Sequence, residues 1–255
     1  MRAGIFRSSV LAALALALSG CAGLAPLEAA PPLVAGQHPQ APLDEGGYAF
    51  QLFVPPPVAA QDIDSDARKW PLMIFLHGSG ERGSDIAKVK AHGPPKHADR
   101  NPDFPFILIS PQLPAEQDWD IAKLDAILAH ALRTLPVDPD RIYLTGLSRG
   151  GHATWRWGAQ EPGRFAALAP VAGRGDPALG CALKDVPVWA FHGDRDDVVT
   201  PEGSFAMSRA IRACGGRMSR LTIYPDLGHN SWDPAYEDPE LYLWLLSQNL
   251  RDGEE

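Results

Sequence analysis

Seven short apolar runs, at residues 48–54, 72–77, 106–110, 142–147, 166–171, 188–192 and 221–224, limit what this chain can fold into. Each has the length of a strand, and most are apolar throughout rather than alternating, the pattern of strands buried on both faces. Helical stretches separate the later runs. Ile121, Leu124, Ile127, Leu128 and Leu132 recur at spacings of three and four, and Pro136 closes the helix that this spacing predicts over residues 121–135. Further helices are expected over 152–160, 201–214 and 239–249, the last capped by Asp238 with Pro239 in the first helical position. Apolar strands alternating with helices predict an α/β fold, a mostly parallel central sheet with helices on both faces. In such a sheet the loops beyond the carboxyl ends of the strands carry the chemistry, so functional residues are expected directly behind the apolar runs.

Residues 1–20 stand apart from this pattern. Arg2 and Arg7 precede an uncharged run over 8–18, and small residues follow; this reads as a secretory signal, too short to span a bilayer. It ends in Leu18-Ser19-Gly20-Cys21, which resembles the lipobox of bacterial lipoproteins. That resemblance implies lipidation of Cys21, which becomes the mature N-terminus, and a place in the bacterial cell envelope, on the periplasmic side or at the cell surface. Acyl chains contributing about 0.8 kcal/mol per buried methylene would hold the protein at a membrane. Residues 21–47 are rich in Ala, Pro and Gly without hydrophobic period and read as a flexible tether with an r.m.s. span of roughly 25–30 Å. Residues 48–252 are left as one catalytic domain, which suits a chain of 255 residues that is 45% hydrophobic.

Charge narrows the partners. The net charge of −8 becomes −10 once Arg2 and Arg7 are removed with the signal, and no basic cluster argues for nucleic acid. No Gly-x-Gly-x-x-Gly opens a helix after the first strand and no phosphate loop occurs, so no nucleotide cofactor is expected. A metal site is not expected either: no His-x-x-x-His or Cys-x-x-Cys pattern occurs, and His77 and His192 each precede a glycine at a strand end, where a structural role fits better than ligation. Cys181 and Cys214 lie in an exported chain and so in a compartment where disulfides persist; spacing leaves both a bridge and two free thiols open.

Directly behind the run at 142–147 comes Gly146-Leu147-Ser148-Arg149-Gly150-Gly151, a Gly-x-Ser-x-Gly between a strand and a helix. A turn this sharp leaves no room for Cβ atoms beside the serine, which accounts for the glycines. A serine hydroxyl needs a base to take its proton, and the base needs a partner that fixes its tautomer. His229, behind the run at 221–224, is C-terminal to both a candidate serine and a candidate acid. Three aspartates, Asp194, Asp196 and Asp197, crowd the turn behind 188–192. The negative charge of a tetrahedral intermediate also has to be met by backbone amides. Arg149 offers one; the other is expected from the loop His77-Gly78-Ser79-Gly80-Glu81-Arg82-Gly83, at Ser79 or next Gly80. Trp119, Trp232 and Gly80 are placed to line a substrate pocket, with core packing the competing role for each tryptophan.

Together, His-Gly-Ser-Gly-Glu-Arg-Gly, His92-Gly93-Pro94-Pro95-Lys96, Phe104-Pro105-Phe106 with Ser110-Pro111-Gln112, and Gly-Leu-Ser-Arg-Gly-Gly resemble bacterial phospholipase/carboxylesterase and dienelactone-hydrolase-like proteins of the α/β-hydrolase superfamily, over roughly residues 48–250. The resemblance implies an α/β-hydrolase fold with a minimal lid and a serine esterase acting on small carboxylic esters without a cofactor. By similarity to the Gly-x-x-Asp-x-x-Val segment of this superfamily, Gly193 registers Asp196 as the acid, with Asp194 capping the turn and Asp197 as its rival. A serine peptidase or amidase of prolyl-oligopeptidase-like type would use the same three residues, and a non-catalytic envelope binding protein is the reading from another class. The large extra domain of such peptidases has no room in this chain. Relatives commonly carry Cys after Ser-Pro-Gln and Met after the nucleophile, where this chain has Leu113 and Arg149. The Arg149 side chain is thereby expected to change the charge of the pocket.

Overall fold

The computed structural model describes residues 1, 32–60 and 68–253. The chain divides into two units, Met1–Pro31 and Pro32–Glu255, and the fold below is that of the second. The secretory signal, Cys21 and the first part of the tether lie outside the described residues.

Eight strands of the described residues form one sheet: β1 (Gly36–Gln40), β2 (Phe50–Val54), β3 (Trp70–Leu76), β4 (Ile107–Pro111), β5 (Val137–Leu147), β6 (Ala167–Val171), β7 (Val188–Gly193) and β8 (Ser219–Tyr224). Their order is β1-β2-β4-β3-β5-β6-β7-β8. β1 and β2 are antiparallel to their neighbours, whereas β4, β3 and β5 to β8 run parallel. The seven apolar runs are β2 to β8. β1 corrects the sequence reading, because it falls inside the stretch taken as tether and moves the start of the folded domain from residue 48 to residue 36 or earlier. Its invisibility has a physical cause: a five-residue edge strand pairs on one side only, is nowhere fully buried, and tolerates Pro39.

Among the described residues seven α-helices pack on the sheet: α1 (Pro56–Ala59), α2 (Gly93–Ala98), α3 (Ile121–Thr134), α4 (Arg149–Gln160), α5 (Glu202–Ala213), α6 (Trp232–Glu237) and α7 (Pro239–Leu246). Two of these helices start on an aspartate cap, the second as the sequence predicts. The Asp120 carboxylate accepts the Ala122 N–H at 3.0 Å to start α3, and Asp238 accepts the Glu240 N–H at 2.9 Å to start α7 behind Pro239. The core lies in two layers. Leu72, Ile74 and Leu76 of β3 point to one side, with Leu124, Ile127 and Leu128 of α3, Trp155 and Trp157 of α4, and Met207 and Ile211 of α5. Met73 and Phe75 point to the other, with Tyr236 of α6 and Leu241, Tyr242 and Leu245 of α7. Strict alternation of one apolar strand between two apolar layers is why β3 shows no polar face. Cys181, in the 3-10 turn Pro177–Leu183, is disulfide-bonded to Cys214 at the end of α5, with Cα atoms 5.2 Å apart. Among the described residues no helix is long and apolar enough to cross a membrane.

Candidate active site

Ser148 is the one residue between the end of β5 and the start of α4. Its backbone has φ 52° and ψ −114°, a conformation that costs a non-glycine residue of order 1–3 kcal/mol and persists only where its surroundings hold it. Here they do: the Ser148 N–H donates to the Val171 carbonyl at 2.9 Å, and its own carbonyl accepts the His152 N–H at 3.0 Å. The flanking glycines are steric necessities. A Cβ on Gly150 would lie 1.8 Å from the Leu76 carbonyl oxygen and 2.8 Å from that of His77, so the elbow closes only because β3 can press against bare backbone.

The sequence-predicted residues meet at this elbow. His229 Nε2 is 3.0 Å from Ser148 Oγ, and His229 Nδ1 is 2.7 Å from Asp196 Oδ2. Of the three aspartates behind β7, Asp196 is the one whose carboxylate reaches the imidazole, and its side chain is fully buried, whereas Asp194 and Asp197 are exposed. Its other oxygen, Oδ1, accepts the N–H groups of Val198 at 3.0 Å and Val199 at 2.9 Å. A buried carboxylate with these amides and an imidazole N–H is well compensated for its lost hydration. Sequence reasoning missed one more partner. His192 Nε2 lies 3.1 Å from Asp196 Oδ2 and 2.7 Å from the Val199 carbonyl, while its Nδ1 is 2.8 Å from Ser204 Oγ. Its Nε2 therefore faces the acid and the Val199 carbonyl, while its Nδ1 lies against Ser204 Oγ, which is also 3.2 Å from the Gly173 carbonyl; the signal for it was the His-Gly pair ending β7.

The loop after β3 is laced on both sides of Gly78. His77 Nδ1–H donates to the Gly78 carbonyl at 2.7 Å, and Glu81 Oε2 accepts the Gly78 N–H at 2.9 Å. The other His77 nitrogen, Nε2, accepts the Leu113 N–H at 3.0 Å. These bonds define a neutral imidazole, and burial pushes its pKa down to about 4. Since the carbonyl and N–H of a trans peptide point in opposite directions, fixing the Gly78 carbonyl on His77 turns the Ser79 N–H away from it. Arg149, first residue of α4, has one of the amide hydrogens that a helix start leaves without an intrahelical acceptor. Its side chain folds over the same loop, with Nε 2.8 Å from Ser79 Oγ and Nη1 3.3 Å from Asp118 Oδ1.

The predicted pocket residues separate. Trp232 opens α6, is half-buried, and sets its ring edge-on to His229 with centroids 5.1 Å apart. Gly80 is exposed, with nothing within 4 Å of where a Cβ would stand. Trp119 does not line a pocket, and this expectation is corrected. It is 2% exposed and packs edge-on against Tyr48 and His77, at 5.5 and 5.1 Å. Its large apolar surface supports the His77 loop from beneath, and burial decided the position. Among the described residues no three His, Cys, Asp or Glu side chains gather as a metal ion would require.

No protein-family model matches the chain. The chain is 28% identical over 136 residues to an Escherichia coli (strain K12) protein provisionally named carboxymethylenebutenolidase, covering 50% of this chain and 49% of that protein. It is 32% identical over 184 residues to the bifunctional acetylxylan esterase/xylanase XynS20E of Neocallimastix patriciarum, covering 68% of this chain and 26% of that protein. Thus it spans about half the length of the first of these relatives and a smaller share of the second. Among solved structures, a thermostable esterase superposes with a TM-score of 0.69 at 31% identity, over 84% of this chain and 62% of its own. The chain has the α/β-hydrolase fold.

Proposed function

We propose that this chain is a serine hydrolase of carboxylic esters in which Ser148 is the nucleophile, His229 the general base and Asp196 the acid that orients it. The observation carrying the reading is the pair of contacts through one imidazole, 3.0 Å to the Ser148 hydroxyl and 2.7 Å to the Asp196 carboxylate. With its Nδ1–H given to Asp196, His229 presents the Nε2 lone pair to the serine proton. Ser148 Oγ then bonds to the ester carbonyl carbon as its proton passes to Nε2. Asp196 keeps its charge and stabilises the imidazolium. The amides of Ser79 and Arg149 are assigned to the resulting oxyanion, a contribution usually worth several kcal/mol. Collapse breaks the bond to the alcohol, which leaves with the proton from Nε2, and water repeats the sequence to release the acid. Trp232 forms the wall beside the imidazole. The ester names of the similar proteins support esters over peptides as substrates.

The test is turnover of a short-chain 4-nitrophenyl ester beside a 4-nitroanilide peptide. Ser148→Ala should lose about four to six orders of magnitude in kcat with an unchanged circular dichroism spectrum. Retained turnover in the folded variant would place the nucleophile elsewhere, and a preference for the anilide would make the protein a peptidase or amidase.

The proposal extends to location: export through residues 1–20 and anchoring by lipidated Cys21 in the bacterial cell envelope. Arg2, Arg7 and the Leu-Ser-Gly-Cys sequence support it, and a disulfide between Cys181 and Cys214 suits an oxidising compartment. Mass spectrometry of the mature N-terminus should find an acylated cysteine; an unprocessed Met1 in membrane-free extract would contradict it.

A further inference from the structure

The neighbouring strands β4, β3 and β5 are each followed by a loop at the same rim of the sheet, and one side chain links the three. Arg149 starts α4 behind β5. Its Nε–H donates to Ser79 Oγ in the loop behind β3 at 2.8 Å, and its Nη1–H donates to Asp118 Oδ1 in the loop behind β4 at 3.3 Å. Asp118 is itself held. The same Oδ1 accepts the Trp119 N–H at 2.9 Å, and the Trp119 ring is buried against Tyr48 and His77. Arg156, seven residues further along α4 and so on the same face, gives Nη2 to the Trp119 carbonyl. Burial pushes the Asp118 carboxyl up, but the Trp119 N–H, Arg149 and Arg156 outweigh it and hold it below its usual range, so the anchor stays charged at neutral pH.

The Ser79 loop needs a hold of this kind. On its inner side the Gly78 peptide is fixed by His77 and Glu81, and the Ser79 carbonyl accepts the Arg82 Nε–H at 3.2 Å. On its outer side Ser79 is exposed, and Gly80 has nothing within 4 Å of where a Cβ would stand, so packing does not press the loop inward there. The Arg149 guanidinium ties the Ser79 side chain down instead. The two residues joined by this 2.8 Å bond are also the two whose backbone amides are assigned to the oxyanion.

We propose that the Arg149 side chain is a positioning element, a brace from the start of α4 to Ser79 that keeps the two oxyanion amides at the spacing the tetrahedral intermediate requires. The inference rests on the reading of Ser148 as nucleophile and of these amides as its oxyanion hole. Such donors lower the barrier only when they are already aimed where charge develops, and a misplacement of about 1 Å can cost roughly 10²-fold in rate. The brace is particular to this chain, because the Met that relatives commonly carry after the nucleophile has no donor to give Ser79. A bond between partly exposed groups adds little to stability, so its loss should be read in catalysis and not in folding.

Arg149→Met keeps the reach of the side chain and removes its donors. Turnover of 4-nitrophenyl butyrate should fall about tenfold in both kcat and kcat/KM with KM unchanged, less than the roughly 10²–10³ lost with an oxyanion donor, since the amide remains. Butaneboronic acid bonds through boron to Ser148 Oγ as the hydroxyl proton passes to His229, which leaves an anionic tetrahedral adduct; its Ki should rise by the same factor. Tm should move by no more than about 2 °C. Ser79→Ala, which keeps the amide and deletes the acceptor, should lose a similar factor, and the double variant should lose no more than either single one. Arg149→Lys should recover part of the loss. Full kcat in folded Arg149→Met overturns the brace, as do losses that multiply to about a hundredfold in the double variant. A rise in KM alone overturns it too, and would make Arg149 a substrate contact. Should Arg149→Met fail to fold, Ser79→Ala carries the test: full kcat overturns the brace, and a loss shared by the boronate supports it. A wild-type protein that hydrolyses no ester sinks the serine-hydrolase reading itself.

Discussion

Acidification should destabilise this fold through His77. The imidazole is buried and neutral, its Nδ1–H on the Gly78 carbonyl and its Nε2 accepting the Leu113 N–H. Its pKa is about 4 against 6.5 for a free imidazole, because burial disfavours the cation. The native pKa is depressed, so between those values the unfolded chain binds a proton that the native state refuses. Stability from this group is therefore complete above about pH 6.5 and is lost as pH falls towards 4. A difference of 6.5 to 4 corresponds to about 3 kcal/mol in full, and about 2.5 kcal/mol of it is lost between pH 7.5 and 4.5. His152, also lowered to about 4, adds a second loss in the same direction. The perturbation that isolates His77 is His77→Asn, whose amide can still donate to Gly78 but does not titrate. Urea unfolding at several pH values should find the variant less stable at pH 7.5 yet with a slope shallower by about 2.5 kcal/mol over that interval. Equal slopes in both proteins would refute the assignment of a neutral, buried His77.

Other consequences can be measured independently. Replacing Cys181 and Cys214 by Ala opens a loop with a sequence separation of 33 and should cost about 3–4 kcal/mol, roughly 10 °C in Tm by calorimetry; an unchanged Tm under oxidising conditions would mean that the bridge contributes little. Gly150→Ala sets a methyl 1.8 Å from the Leu76 carbonyl oxygen and should cost more than about 3 kcal/mol, whereas Gly228→Ala, whose nearest neighbour would be 3.8 Å away, should fall within about 0.5 kcal/mol. Similar denaturation midpoints for these two variants would contradict the steric account of the elbow. Asp196→Asn should reduce kcat by about 10⁴, as loss of the orienting acid does in other serine triads, while Asp197→Asn, exposed and away from the imidazole, should change it little. The opposite ranking would transfer the role to Asp197.

Where the amino-acid pattern was informative, a physical requirement left few choices. Short apolar runs announced β2 to β8, Asp238-Pro239 announced α7, and the glycines around Ser148 announced a turn with no room for side chains. Where several residues met the same requirement, the pattern fell silent. Three aspartates behind β7 are alike in chemistry, so composition alone could not choose among them; the resemblance to Gly-x-x-Asp-x-x-Val pointed to Asp196, and the path of the turn buries it and exposes its neighbours. Trp119 suited a pocket as well as a core until Tyr48 and His77 closed around it. β1 left no periodic trace because one-sided pairing demands none, and α6 was missed because its six residues are too few for a helical repeat. Glu81 was in plain view in the His-Gly-Ser-Gly-Glu motif. Its grip on the Gly78 N–H depends on the loop doubling back over three residues.

Covalent trapping tests the central claim most directly. On brief acid quenching during turnover of 4-nitrophenyl acetate, or after labelling with a fluorophosphonate, peptide mass spectrometry should find one adduct, on Ser148. It should vanish in Ser148→Ala and fall steeply in His229→Gln, because the hydroxyl then has no base at 3.0 Å. Modification of a different residue, or full labelling of Ser148 in the absence of His229, would contradict the account.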